Sequence, residues 1–293
     1  MRTTNLSHKL IQYCLLARLD KPIGTLLLLW PTMWALWLAA GGFPATKLLI
    51  IFVLGTGSMR SAGCIINDYL DRGYDGGVHR TSNRPLVTGK VSPMEALVLF
   101  TILLFCAELL VFLTNDLTVL LAFGGVFLAV TYPLAKRFSY LPQIHLGAAF
   151  GWAIPMAFAA QNGHLPVETW LVFCSTLLWA LIYDTQYAMV DRKDDLRVGI
   201  KSTAILFGEN DRLIIGYIQL MFLLSLALIG NRWSLNWPYY MSILATAGFF
   251  LRQQYLIRNR EPKGCFAAFK NNNLVGLAIF IGLTFSEMTA PFL

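Results

Sequence analysis

Nothing constrains this chain more than its succession of apolar runs, each about the length a helix needs to cross a bilayer. A hydrocarbon core takes about 20 residues of helix to span, and helix is the form because its backbone polar groups satisfy one another where no water reaches. Such runs occupy residues 23–40, 48–66, 94–114, 117–132, 144–160, 169–187, 213–229, 239–256 and 274–292. Only 13% of the 293 residues are charged, about half of what a soluble domain carries. The mean hydropathy is +0.58. The expected fold is an all-α integral membrane protein with nine transmembrane helices. No linker or low-complexity stretch divides residues 1–293, so a single domain is expected.

The cations test that reading. Of 23 lysines and arginines, twenty fall in the N-terminal segment or in loops that nine spans would place on the same side. Only Lys47 and Arg232 fall opposite, and Arg60 lies within the second run. Such a split marks the cytoplasmic face and puts the N-terminus there. The net charge of +7 therefore reads as topology. Nucleic acid is excluded as a partner, because no basic face interleaved with aromatics accompanies it. Residues 5–20 read as an amphipathic segment on the cytoplasmic surface, and charges follow Ala17 where a signal peptide would need a small-residue cleavage site. The five cysteines show no paired spacing and read as small buried residues. The four histidines form no ligand pattern. Trp30, Trp34, Trp37, Trp170, Trp233 and Trp237 fall near span ends, where an aromatic belt is expected.

Against this background the acids stand out. Seven of the ten aspartates fall in two windows, each directly after an apolar run. The first holds Asn67, Asp68, Asp71 and Asp75; the second holds Asp184, Asp191, Asp194 and Asp195. The second and sixth spans run in the same direction, so both deliver their acids to the cytoplasmic side. If the second span continues as a helix, Asn67, Asp71 and Asp75 share a face, with Asp68 about 100° away. Asp184, Asp191 and Asp195 likewise form a column. Like charges at this spacing oppose one another and require a counter-charge. Hard oxygen ligands suit Mg²⁺, which binds one or two carboxylates and bridges to substrate phosphates. Asn67, Asp68, Asp71, Asp75, Asp191 and Asp195 are the candidate ligands. Arg72, Arg80, Arg84, Lys136, Arg137, Arg192 and Lys193 are the surrounding cations suited to phosphate oxygens. Asp194 reads as solvated. Pro133 is expected to stop the fourth span just before Lys136 and Arg137 emerge. Arg60 is expected to face the interior, toward a carboxylate such as Glu108 or an anionic substrate, and Glu287 lies near the outer end of the last span.

The motifs Asn67-Asp68-x-x-Asp71-x-x-x-Asp75 and Asp191-x-x-x-Asp195 resemble those of the UbiA superfamily of intramembrane aromatic prenyltransferases. Three further stretches in the first third of the chain are similar to its bacterial 4-hydroxybenzoate polyprenyltransferase branch. They are Arg18-Leu19-Asp20-Lys21-Pro22-Ile23-Gly24, Gly63-Cys64-Ile65-Ile66-Asn67-Asp68-Tyr69 and His79-Arg80-Thr81-Ser82-Asn83-Arg84-Pro85-Leu86. So are Tyr183-Asp184-Thr185-Gln186-Tyr187-Ala188-Met189-Val190-Asp191 and Gly199-Ile200-Lys201-Ser202-Thr203. The resemblance covers nearly the whole chain and weakens after the seventh span. It implies helices around a central cavity, Mg²⁺ on the two motifs, a polyprenyl diphosphate donor, and 4-hydroxybenzoate as acceptor in ubiquinone biosynthesis. It also implies a multi-pass protein of the bacterial inner membrane, with its active site on the cytoplasmic side and membrane lipid around it. No obligate protein partner is evident. Within that reading Asp71, Asp75, Asp191 and Arg137 are the catalytic candidates, with Asp75 as the base. Arg60, Arg72, Lys136, Arg137, Arg18 and Arg84 are the substrate-binding candidates, and Arg60 or Arg137 would take the acceptor carboxylate. The competing readings are a prenyltransferase for homogentisate, a naphthoate or haem, a cation- or proton-coupled transporter using the same acids, and a lipid-binding protein with a dead site.

Overall fold

The computed structural model describes residues 2–73, 75–77 and 81–289, with the side chains of residues 2–6 and Lys136 left aside. Among the described residues there are helices and no strands. In chain order they are α1 (Arg2–Leu16), α2 (Ile23–Ala40), α3 (Thr46–Asp71), α4 (Pro93–Val111), α5 (Asp116–Phe138), α6 (Pro142–Gly151) and α7 (Ala153–Asn162). They continue as α8 (Thr169–Val198), α9 (Thr203–Phe207), α10 (Asp211–Arg232), α11 (Trp237–Leu256) and α12 (Pro262–Met288). Six helical stretches are long and apolar enough to cross a bilayer, namely α2, α3, α4, α5, α9 with α10, and α12. The chain is a multi-pass membrane protein. The last run was expected to reach residue 292, and its final residues, 290–293, lie outside the described ones.

Three expectations need correction. The fifth run is not one helix. It breaks at Trp152 into α6 and α7, of 10 residues each. Pro155 has no N–H to give the Gly151 carbonyl, and its ring crowds that carbonyl, so the first helix ends there. Pro133, by contrast, does not stop α5, which runs on to Phe138. One lost backbone bond is tolerated where neighbouring helices hold the segment in place, as also at Pro31 inside α2. The tryptophans do not all lie at an interface. Trp34 and Trp37 are buried. The Trp34 and Trp179 ring centroids lie 5.1 Å apart, while Trp170 and Trp237 are exposed as a belt requires. Of the free cysteines, only Cys64 and Cys265 are buried.

Helix α8 is the central strut. Trp179, Ile182 and Tyr183 on it are buried, and Trp179 stacks on Phe222 of α10. Its lower half is fixed by a buried network of side-chain amides. Gln186 donates to Gln253 at 2.9 Å and accepts from Asn272 at 2.9 Å. Gln253 donates in turn to Asn271 and accepts from Gln219. Paired amides of this kind avoid the cost of leaving a polar group unsatisfied among apolar side chains, and they admit one rotation of the helix. Helices α4 and α5 present mostly exposed apolar side chains, including Phe105, Phe123 and Phe127, and form the lipid-facing flank. At the N-terminal side, Leu16 and Ala17 pack on Ile65, Val91 and Ala96. Lys9 pairs with Glu95 at 2.9 Å, so α1 is strapped across the end of α3.

Candidate active site

The first acid window is not a single helical column. α3 ends at Asp71, and Asp75 opens a short 3₁₀ turn, Asp75–Gly77. Asn67 and Asp71 therefore share a face as expected, and Asp75 does not extend it. Three carboxylates at a helix terminus repel one another, and the chain leaves the helix before the third. What holds the window together is arginine. Arg84 Nη1 lies 2.9 Å from Asp68 and 2.6 Å from Asp75, joining the two. Arg18 Nη2 reaches both oxygens of Asp68 at 3.0 and 2.9 Å, from a left-handed backbone at φ 58°. Thr81 donates to the Asp75 carbonyl. Asp68, Asp71 and Asp75 are all buried, at 2, 3 and 7% exposure, so carboxylates here need cations at hand. Burial pushes the Asp75 carboxyl up, and the Arg84 guanidinium pulls it back. Arg137 donates to the Leu70 carbonyl at 3.0 Å and stands 3.9 Å from Asp71.

The second window is one uninterrupted helix. α8 carries Asp184, Asp191 and Asp195 along one face and stops at Gly199, in the left-handed region at φ 74°. The opposite face holds Gln186 and the amide network, so the packing of α8 decides where its acids point. Asp191 and Asp195 are half-buried. Asp194 pairs with Arg197 at 3.6 Å on the surface, in keeping with a solvated role.

Several expected phosphate-binding cations are committed elsewhere. Arg192 pairs with Asp211, which is fully buried and also held by Arg260. Arg72 lies 4.4 Å over the Tyr69 ring and donates to its carbonyl. Lys193 is exposed. Arg80 and the Lys136 side chain lie outside the described residues. Arg18 and Arg84 point into the site through Asp68 and Asp75.

Arg60 is where interior placement was expected. Its guanidinium lies 5.8 Å from the Phe150 ring centroid, and a Cβ at Gly24 would overlap it. Glycine at position 24 makes that close approach possible. Tyr132, Tyr183 and Tyr187 lie within electrostatic reach of Arg60, and Tyr132 also senses Asp71 and Asp184. The end of α5 reaches toward both windows: Arg137 stands 3.9 Å from Asp71, and the Phe138 carbonyl accepts from Lys201 just past the end of α8. Beside Arg60 is a largely apolar cavity of about 150 Å³, lined by Phe52, Thr56, Arg60, Glu108, Tyr132 and Trp152 among others. Glu108 shares this cavity with Arg60, and no ion pair joins the two. The tyrosines were not singled out from the sequence, since an aromatic inside an apolar run carries no mark of its partner. Asp211 was also missed; the one signal it offered was an acid beside Arg212 at the start of an apolar run.

The donor set can be tested against a divalent cation. Asn67 offers a half-exposed amide whose side chain has no hydrogen-bond partner among the described residues. With Asp71, Asp191 and Asp195 it supplies hard oxygen donors from two helices, a set that suits Mg²⁺ completed by water and diphosphate oxygens. Asp68 accepts from Arg18 on both oxygens and also pairs with Arg84, while Asp75 pairs with Arg84 through Oδ2. A cation reaching Asp68 would therefore have to displace an arginine, whereas the contact at Asp75 engages one oxygen. Among the described residues, no three acidic, histidine or cysteine side chains gather tightly enough to enclose a metal without such help.

Comparison with known proteins agrees with this arrangement. The sequence pattern of the UbiA prenyltransferase family matches residues 28–280. The 4-hydroxybenzoate octaprenyltransferase of Saccharophagus degradans is 54% identical over 97% of this chain and 95% of its own length. That of Nitrosococcus oceani is 55% identical over 97% of this chain and 100% of its own. In fold, a UbiA homolog from Aeropyrum pernix K1 superimposes with a TM-score of 0.78 at 24% identity, over 88% of this chain and 96% of that one. A UbiA homolog from Archaeoglobus fulgidus bound to GPP and Mg²⁺ gives 0.75 at 18%, over 95% and 100%. With an identity above one half sustained along nearly the full length, and the same helical fold, the chain belongs to the UbiA prenyltransferase family.

Proposed function

We propose that this protein transfers a polyprenyl group from a polyprenyl diphosphate to 4-hydroxybenzoate, at the ring carbon ortho to the hydroxyl, in ubiquinone biosynthesis. The observation that carries the proposal is the pair of acid windows that the end of α5 reaches toward, beside an apolar cavity. The high identity to 4-hydroxybenzoate octaprenyltransferases supports the choice of acceptor. The reading takes residues 1–293 as one domain of nine spans around the cavity, counting α6 with α7 as one, and α8 and α11 as two more. It sets the N-terminus and the active site on the cytoplasmic side of a bacterial inner membrane, as the cation asymmetry supports.

Asn67, Asp71, Asp191 and Asp195 would hold Mg²⁺. When bound, the ion supplies charge neutralisation of the departing diphosphate. Arg137, with Lys136, Arg18, Arg84 and Arg72, is assigned to the diphosphate end. Of these, Arg18 and Arg84 must exchange a carboxylate contact for a phosphate oxygen, and Arg72 must leave Tyr69. As the allylic C–O bond breaks, its electron pair stays with the diphosphate and the prenyl carbon becomes cationic. The apolar wall of Phe52, Trp152 and their neighbours keeps water from that carbon. Tyr132 lines the same cavity with an electron-rich ring. Arg60 receives the acceptor carboxylate and orients the ring carbon for attack. A C–C bond forms, and the ring proton leaves to Asp75, which restores aromaticity.

The test supplies membranes bearing this protein with Mg²⁺, 4-hydroxybenzoate and polyprenyl diphosphates of several lengths. A prenylated hydroxybenzoate is expected, lost with EDTA and lost in Asp71→Ala and Asp191→Ala. Undiminished turnover in both variants would sink the metal assignment. Turnover only with another aromatic would overturn the acceptor.

A further inference from the structure

At the far side of α8 from the aspartates, a second concentration of arginine surrounds a groove that the proposed reaction does not use. The groove measures about 590 Å³ and is lined by Glu209, Arg212, Leu213, Gly216, Tyr217, Leu220, Gln254 and Arg260. Its lining cations are Arg212, in the first turn of α10, and Arg260, past the end of α11; Arg258 stands at the rim, where its carbonyl accepts from Arg212. Below them runs an apolar flank. Leu213, Tyr217 and Leu220, on one side of α10, are 59, 61 and 53% exposed. α10 belongs to a stretch apolar enough to cross the bilayer, so this flank faces acyl chains and the arginines stand at headgroup level.

The charges of the groove do not cancel. Asp211 is shared by Arg192 and Arg260. Glu209, the remaining acid, lies 3.6 Å from Arg260. Arg212 and Arg258 have no carboxylate partner among the described residues. Arg212 gives one bond to the Arg258 carbonyl, and its Nε is buried without an acceptor. Arg258 lies over the Tyr255 ring at 3.7 Å. Gly216 forms the floor, where a Cβ would stand in ordinary contact with the Gln254 amide at 3.5 Å and a longer side chain would enter the groove. Unneutralised guanidinium groups above a lipid-facing apolar groove match the two ends of a phospholipid: phosphate oxygens for the cations and an acyl chain for the groove.

We infer that this groove is a binding site for an anionic phospholipid of the surrounding bilayer. Arg212 and Arg258 hold the headgroup, and one acyl chain lies along Leu213, Tyr217 and Leu220 over Gly216. Net positive charge selects an anionic headgroup over a zwitterionic one.

The test reads lipid, not turnover, so it stands or falls independently of the prenyl-transfer proposal. The full-length protein is reconstituted in nanodiscs of equal parts phosphatidylglycerol and phosphatidylcholine, extracted in mild detergent, and its retained lipid counted by native mass spectrometry. Wild type is expected to retain phosphatidylglycerol at least about fivefold over phosphatidylcholine, a preference of the size that about 1 kcal/mol confers. The double variant Arg212→Ala/Arg258→Ala should lose that preference, and Arg212→Lys/Arg258→Lys should keep most of it. Gly216→Leu fills the groove without touching a charge and should lower retention with the ion pairs intact, which covers failure of the arginine double variant to fold. Inorganic phosphate added alone should not displace the lipid. Equal retention of both lipids by wild type, unchanged preference in both the alanine double variant and Gly216→Leu, or displacement by phosphate would each overturn the inference.

Discussion

The two acid windows have similar composition and opposite construction. In the first, the helix stops at Asp71, the chain turns, and Arg84 from the loop that follows and Arg18 from far upstream engage Asp68, with Arg84 also on Asp75. In the second, the helix runs straight through Asp184, Asp191 and Asp195, and its nearest arginine is drawn away to Asp211. One window is thus held by ion pairs within itself. The other is held from behind, by amides and an ion pair on the side of α8 away from its acids. The lesson is that an aspartate motif does not assign equal duties to its members. Asp68 is a structural anchor held by two arginines, while Asp71, Asp191 and Asp195 are the acids assigned to the cation and substrate.

The largest effect expected of this contrast is catalytic. Asp71→Asn and Asp191→Asn should each lower prenyl transfer by at least about a hundredfold with the unfolding temperature nearly unchanged. Asp68→Asn should do the reverse, with a marked loss of stability and activity surviving in the folded fraction. A collapse of activity in stable Asp68→Asn protein would break the distinction. Next in size is Arg84→Ala, which strands the buried Asp75 and takes one of two guanidinium partners from Asp68, and should cost about 3 kcal/mol, read by denaturation in detergent. Arg18→Ala leaves Arg84 on Asp68 and should cost about 1.5 kcal/mol; equal losses in the two variants would show that the bridge between Asp68 and Asp75 adds nothing. Arg192→Ala should cost about 1 kcal/mol, since Arg260 still answers Asp211. Its KM for the diphosphate should stay within about twofold, and a tenfold rise would return Arg192 to the substrate. The smallest effect is expected of Arg72→Ala, about 0.5 kcal/mol for an exposed guanidinium over one half-buried ring.

Much of this was legible beforehand, for reasons that are local. Apolar length fixes a helix in lipid regardless of its neighbours, so α2, α4 and α11 follow their runs closely, whereas α12 begins at Pro262, twelve residues before the run expected at 274. The i, i+4 spacing places Asn67 with Asp71 and Asp191 with Asp195 as long as the helix continues. The inference failed at Asp75, where the helix had ended, and at Pro133, where it had not. Both depend on what packs beside the segment. Trp34 and Trp37 read as interfacial and proved to be core, because a tryptophan near the end of a run carries no sign of whether α8 and α12 will cover it.

The sequence by itself determined that the chain is helical and membrane-embedded, that its acids gather at two helix ends, and which family it belongs to, since length, hydropathy and motif spacing act along a single segment. Only the tertiary structure decided which arginine answers which aspartate. Arg18 and Asp68 are fifty residues apart and Arg260 and Asp211 forty-nine, so their meeting depends on helix packing that no local pattern encodes. In a low-dielectric interior a charge must be answered nearby, and the pairing of Arg18 and Arg84 with Asp68 makes that residue an anchor inside the window that also supplies Asn67 and Asp71 to the proposed metal site.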